Sequence, residues 1–482
     1  MIFRLLFTFL ALATLSVSAR AEAAAALRLA PCAGIRNAPH DAKCASLSVF
    51  ENRSAHAGRQ IAIRILVLPA KERNAGAIFE LSGGPGQSAI DDVPFVMQQF
   101  RALRRSHDLV FVAQRGTRYS HQLQCSLYSD PAQYLRELFP SAPLRACRAR
   151  LTPFADLNEY GTSVAADDLD DARSALGYDK IELYGGSYGT KAAQVYARRH
   201  PAHVRAMLLE SVVTTNFLVP LPYAQGAQRA LDQLFAACRA ESGCGRAFPS
   251  LPAHFTTLLK RFGRSGVPVM LAGRTLTLSH DVFVDRLRQL LYSPPIARTV
   301  PIIIEDAYKG NTRPLATAID LIAKSFADIL SWGMSMSVNC SEDDPFITRA
   351  AALTEARSSF MGTSRIDAQH RACLAWHVKP VDRSYLDPVR SGAPVLMLSG
   401  TDDPATPPQY ARAQLRNYPN GRLVSIPHGG HDNESPCLDR IRSAFLDSAN
   451  PKTVDATCIE ASKRPPFVLT DKELNAFFAS VR

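Results

Sequence analysis

Residues 182–190, ELYGGSYGT, decide how this chain folds. The apolar strand pattern KIELYGG (180–186) runs into Ser187 and then directly into the helical pattern SYGTKAAQVYARRH (187–200), which closes on basic residues. Glycine destabilises strand and helix interiors, so three glycines around one serine predict a backbone that turns sharply. Gly185, Ser187 and Gly189 fit G-x-S-x-G between a strand and a helix. In that setting the serine hydroxyl stands above the C-terminal end of a strand. The helix start below it presents backbone N–H groups and positive dipole, where an oxyanion would form. The motif alone would also suit an idle serine on a strand–helix turn; the flanking elements favour a nucleophile.

Outward from this turn the same rhythm repeats. IAIRILVLPA (61–70), AIFELSGGPG (77–86), HDLVFVAQRG (107–116) and VRAMLLESVV (204–213) read as strands. SVAADDLDDARSALG (163–177) reads as a helix capped by Ser163 and ended by Gly177. Such alternation predicts a mostly parallel sheet with crossover helices. After residue 215 the pattern turns mainly helical, with breaks at GRSGVPVMLAGR (263–274) and YSPPIARTVP (292–301). Strands resume at APVLMLSG (393–400) and GRLVSIP (421–427), with the helix PPQYARAQLRNY (407–418) between them. One α/β domain interrupted by a mainly helical insertion is the economical organisation. Two independent domains would leave the last two strands needing a sheet of their own.

A serine needs a base, and in this arrangement the partners follow in the order acid, then histidine, after later strands. VLMLSGTDDPATPP (395–408) ends a strand with Asp402 and Asp403; LVSIPHGGHDN (423–433) ends another with His428 and His431. The oxyanion donors expected are the amides of Tyr188 and of Gly84 in FELSGGPGQS (79–88), with Gly83 the second choice because Pro85 has no N–H. HGGH lacks an acidic or cysteine complement, so no metal is expected, and the chemistry needs no organic cofactor.

The chain has 482 residues, 46% hydrophobic and 21% charged, an ordinary globular composition. Its formal net charge of +11 comes from scattered arginines without an aromatic–basic ladder, so nucleic acid is not an expected partner. Arg4, the apolar LLFTFLALATLSV (5–17) and small residues near Ala21 and Ala23 read as a signal peptide at 1–23. An uncleaved anchor is the alternative, although the apolar run is shorter than the roughly 20 residues of a membrane span. No later stretch suits one, so no stable membrane insertion is expected after cleavage. Proline before Cys32 argues against lipidation. Ten cysteines follow the signal. In an exported chain an even number suggests disulfides, and chain order suggests Cys32–Cys44, Cys125–Cys147, Cys238–Cys244, Cys340–Cys373 and Cys437–Cys458. No C-x-x-C pair supports zinc.

Together SGGPG, AQRGT, GGSYGT, SGTDDPATPP and HGGH resemble the prolyl aminopeptidase and tripeptidyl aminopeptidase branch of the α/β-hydrolase serine peptidases, including its TAP-like C-terminal region. The resemblance spans about residues 45–460. It implies a hydrolase core at 45–216 and 391–482 with a helical cap at 217–390. It places the acid at Asp403 and the base at His431, and implies removal of residues from a free N-terminus of short peptides. By its Cys-x-Glu-Asp pattern, SVNCSEDDPF (337–346) would offer Glu342, then Asp343, to the substrate amino group; a solvated acidic helix start is the plainer reading. Two departures lie near the site: Ser82 stands where the family often has histidine, and Ala113 and Arg118 replace the ends of Asp-x-Arg-Gly-x-Gly. The expectation is thus an exported serine aminopeptidase, periplasmic or extracellular, built on Ser187, Asp403 and His431. An esterase or lipase on the same scaffold is the nearest alternative, and a catalytically silent hydrolase-fold binding protein a more distant one.

Overall fold

Strand sequences rich in Ile, Val, Leu and Phe are buried on both faces, as a sheet covered by helices requires; all six residues of His107–Val112 are buried. The computed structural model describes residues 27–35, 38–72, 75–263 and 265–481. The segment read as a signal peptide lies outside the described residues. Among these, nine strands form one sheet. They are β1 (Ala30–Pro31), β2 (Lys43–Phe50), β3 (Gln60–Leu68), β4 (Gly76–Leu81), β5 (His107–Val112), β6 (Ile181–Gly186), β7 (Val204–Glu210), β10 (Val395–Gly400) and β11 (Gly421–Ile426), in the order β1-β2-β3-β5-β4-β6-β7-β10-β11. Pairing from β1 through β3 to β5 is antiparallel, and from β5 onward it is parallel. This is an α/β-hydrolase fold.

The chain leaves the sheet after Glu210 and returns at Val395 as the neighbour of β7, with Val395 opposite Met207. The intervening segment is helical except for one hairpin, β8 (Val267–Leu271) and β9 (Arg274–Leu278), where the sequence pattern showed only a break. The reason is local. Val269, Leu271, Leu276 and Leu278 alternate inward, and Ala272 and Gly273 take the two positive φ values that a tight hairpin turn demands. A second difference concerns the helix Thr162–Ala175. Its N-cap is Gly161, and Ser163 lies inside the first turn, because the Thr162 hydroxyl is directed to Glu342 instead of closing the helix end.

All ten cysteines are paired: Cys32–Cys44, Cys125–Cys147, Cys238–Cys244, Cys340–Cys373 and Cys437–Cys458. Among the described residues no helix is long and apolar enough to cross a membrane.

Candidate active site

The turn at Ser187 is as tight as its glycines imply. Ser187 has φ 52° and ψ −121°, a strained conformation for a residue with a side chain. Its N–H donates to the Glu210 carbonyl at 2.9 Å, which ties the turn to β7. A Cβ on Gly189 would lie 1.8 Å from the Leu81 carbonyl oxygen, and one on Gly185 2.6 Å from the Gly189 oxygen. Only glycine lets the helix Tyr188–Arg199 start this close to β4 and β6.

The acid follows β10. Asp403 is buried; its Oδ1 accepts from the N–H groups of Ala405 (2.8 Å) and Thr406 (2.9 Å), and its Oδ2 from the Thr406 hydroxyl (2.6 Å). His431, after β11, places Nδ1 3.0 Å from Asp403 Oδ2. A carboxylate only accepts, so Nδ1 carries the hydrogen and Nε2 is left as the basic nitrogen. Burial alone would raise the Asp403 carboxyl, but His431 and the Thr406 donors bring it down to about 2. Burial alone would lower the His431 imidazole, but the Asp403 charge and hydrogen bond hold it above its usual value. The ring is further fixed by the backbone: His431 N–H donates to the Tyr292 carbonyl (2.6 Å) and its own carbonyl accepts from the Ser211 hydroxyl (2.7 Å). The neighbouring candidates are engaged elsewhere. Asp402 pairs with Arg464, and His428 is exposed.

Ser187, Gly83, Gly84 and His431 line one cleft of about 700 Å³, with Asp403 behind the imidazole. Tyr188 is buried beneath it. Its hydroxyl accepts from Gln114 Nε2 (3.0 Å) and lies 2.8 Å from Thr162 Oγ1, which orients the residue that follows Ser187.

Glu342 and Asp343 are not brought to the cleft. Both follow from the buried end of the helix Trp332–Glu342, and their oxygens are already occupied. Glu342 accepts from the Thr162 N–H (2.6 Å), the Thr162 hydroxyl (2.9 Å) and the Tyr385 hydroxyl (2.6 Å). Asp343 accepts from the buried Lys191 ammonium at 2.8 Å. The expectation that they receive a substrate amine is therefore corrected: they join the segment between β7 and β10 to the helix behind Ser187. The cleft has other acids that sequence reading passed over, Glu80 and Asp92 among them. The available signal was an acid two residues before Ser82 and another soon after the glycine loop, in FELSGGPGQSAIDD (79–92).

The family model described as "alpha/beta hydrolase fold" matches residues 78–268, and that described as "TAP-like protein" matches residues 358–458. Serine protease Hip1 of Mycobacterium tuberculosis is 26% identical over 465 residues, covering 87% of this chain and 88% of that protein. Tripeptidyl aminopeptidase of Streptomyces lividans is 28% identical over 222 residues, 42% of this chain and 41% of that one. Carboxylesterase B of Mycobacterium tuberculosis is 24% identical over 466 residues, 86% of this chain and 85% of that one.

Proposed function

From the premise that this chain belongs to the α/β-hydrolases of the peptidase branch, with a TAP-like C-terminal region, we propose that it is an exported serine peptidase releasing residues from the free N-terminus of short peptides. The observation that carries the reading is the buried Asp403–His431 pair, which faces the cleft that Ser187 enters on its strained turn.

Ser187 Oγ attacks the scissile carbonyl carbon while His431 Nε2 takes its proton, and Asp403 holds the imidazole in the required tautomer. The carbonyl oxygen becomes an oxyanion held by the amides of Tyr188 and Gly84; each such donor contributes roughly a hundred- to a thousand-fold in kcat. His431 returns the proton to the leaving amine, the amine departs, and water deprotonated by the same nitrogen releases the acyl group from Ser187. Five disulfides support export, since such bonds persist in oxidising compartments.

A panel of aminoacyl, prolyl and tripeptidyl amides, each with a free or an N-acetylated terminus, tests the reading beside nitrophenyl esters. The free-amine amides are expected to turn over and the acetylated ones to fail. Turnover of esters alone would favour a carboxylesterase, the activity named for one relative.

A further inference from the structure

We propose that the ammonium group of the substrate's N-terminal residue is seated between the carboxyl groups of Glu80 and Asp92 in the catalytic cleft. The proposal rests on the peptidase reading and assigns its amine-binding residues.

A positively charged terminus in a partly dry cleft needs carboxylate partners. The acids lining the cleft are Glu80, Asp92, Glu210, Asp432 and Glu434. Glu210 is already neutralised by both forks of Arg442, at 2.6 and 2.7 Å. Asp432 adjoins His431 in sequence, and Glu434 is exposed on the same loop.

Glu80 and Asp92 have no cation and, unlike the exposed Asp432 and Glu434, are buried or half-buried. Their donors are Ser82, whose Oγ lies 2.8 Å from Asp92 Oδ2, and Gln87, whose Nε2 donates to Asp92 Oδ1 at 2.6 Å. Ser82 Oγ also lies 3.1 and 3.2 Å from the two Glu80 oxygens. A hydroxyl has one hydrogen, and the short contact to Asp92 takes it; the longer ones lie beyond the usual O–H···O range. The Glu80 carboxyl, only 5% exposed and lining the cleft, also hydrogen-bonds with Asp92, so the two acids share one proton and one negative charge. Among the described residues no lysine, arginine or histidine comes within ion-pair distance of either acid. Burial, and then Asp92 beside it, pushes Glu80 far above the carboxylate range; burial also pushes Asp92 up to about 6 despite Ser82 and Gln87. An ammonium can replace the shared proton and supplies the positive charge that this pair lacks.

The position also fits. A Cβ on Gly83 would lie 3.6 Å from Ser187 Cβ and 3.7 Å from Gln87 Oε1, and Gln87 is bonded to Asp92. The glycine loop beside Ser187 thus also borders the amide that holds Asp92, so the acids and Ser187 share one cleft. Ser82, where the resembled family often carries histidine, is the residue that bridges the two acids.

The test compares kcat/KM for one peptide amide with a free N-terminus and its N-acetyl form, in wild type, Glu80→Gln, Asp92→Asn and the conservative Glu80→Asp. Fluorophosphonate labelling of Ser187 reports in each variant that the triad is assembled. Wild type is expected to prefer the free amine by about 100-fold or more, and each amide variant to lose at least about tenfold of that preference, mostly through KM. Glu80→Asp should recover part of it. Normally labelled variants that keep the full preference overturn the assignment while leaving the peptidase reading intact. A wild type indifferent to acetylation overturns both. A check independent of variant folding is inhibition of wild-type ester turnover by alaninamide: it should be competitive and at least about tenfold stronger than by N-acetylalaninamide, and equal inhibition overturns the site.

Discussion

His431 stays protonated to a higher pH than a free imidazole does, because the Asp403 carboxylate 3.0 Å away outweighs the lowering effect of burial. A general base must be neutral, so kcat/KM should fall as pH falls through this raised value, and the acid limb should sit above that of an ordinary histidine. Asp403→Asn removes the charge that raises it. The limb should then move to lower pH and kcat drop about ten-thousand-fold, as the same change does in other serine triads. A pH–rate profile whose limb stays in place would refute the role given to Asp403. Stability follows the same pair with opposite signs. The depressed Asp403 contributes stability above its unfolded value that is lost as pH falls towards about 2. The raised His431 contributes below the unfolded histidine value and loses it as pH rises through the folded one. Local motifs at strand ends singled out Ser187 and narrowed its partners to Asp402 or Asp403 and His428 or His431; the family resemblance chose Asp403 and His431, whose side chains lie 3.0 Å apart. Glu342 was misread for a related reason: Cys-x-Glu-Asp gives the residue types but not the direction they face, and here the carboxylates turn inward to Thr162, Tyr385 and Lys191.

Between elements, the decisive contact is the approach of the helix Tyr188–Arg199 to β4. Gly189→Ala would place a methyl 1.8 Å from the Leu81 carbonyl oxygen, which is backbone at the C-terminal end of β4, paired there with β6, and cannot swing aside as a side chain can. The expected cost exceeds the roughly 1–3 kcal/mol of ordinary overpacking, so the variant should express poorly or melt many degrees below wild type. Gly177→Ala is the matched control, since a Cβ there meets nothing within 4 Å; its φ of 83° alone should cost about 1 kcal/mol. Equal melting temperatures for the two would contradict the packing argument. Most strands of the sheet were legible because runs such as IAIRILVL and VLMLSG are too short and too β-branched or aliphatic to be anything but buried strands beside their turns. The β8–β9 hairpin was not, because Pro268 and the flanking glycines masked a period-two pattern only five residues long in each strand. Strand order was equally hidden: β3 pairs with β5 and not with β4, a choice made by non-local packing.

Over the whole molecule, the long segment between β7 and β10 is pinned to the core by buried charge. Lys191 lies one turn beyond Ser187 on the helix Tyr188–Arg199, and its ammonium meets Asp343 at 2.8 Å with both side chains about 1% exposed. Burial alone would lower the Lys191 ammonium, but Asp343 and then Glu342 hold it above its usual value, so the pair is ionic. Two desolvated charges contribute little net stability while both are present, but removing one strands the other. Asp343→Ala should therefore cost about 3–5 kcal/mol, whereas Lys191→Met combined with Asp343→Leu, which fills the same space without charge, should lie close to wild type or above it. Glu342 keeps its Thr162 and Tyr385 donors in the double variant but loses the Lys191 charge that opposes the raising effect of its burial, so it is expected to take up a proton instead of remaining a stranded charge. Thermal melting of the two variants checks the stability claim, and the rate of fluorophosphonate labelling checks whether the helix behind Ser187 has moved. If the pair only fastens the segment, the double variant should label at the wild-type rate and melt above the single variant. A double variant as unstable as Asp343→Ala would mean that hydrogen bonding to Lys191, and not charge balance, holds the two parts of the chain together.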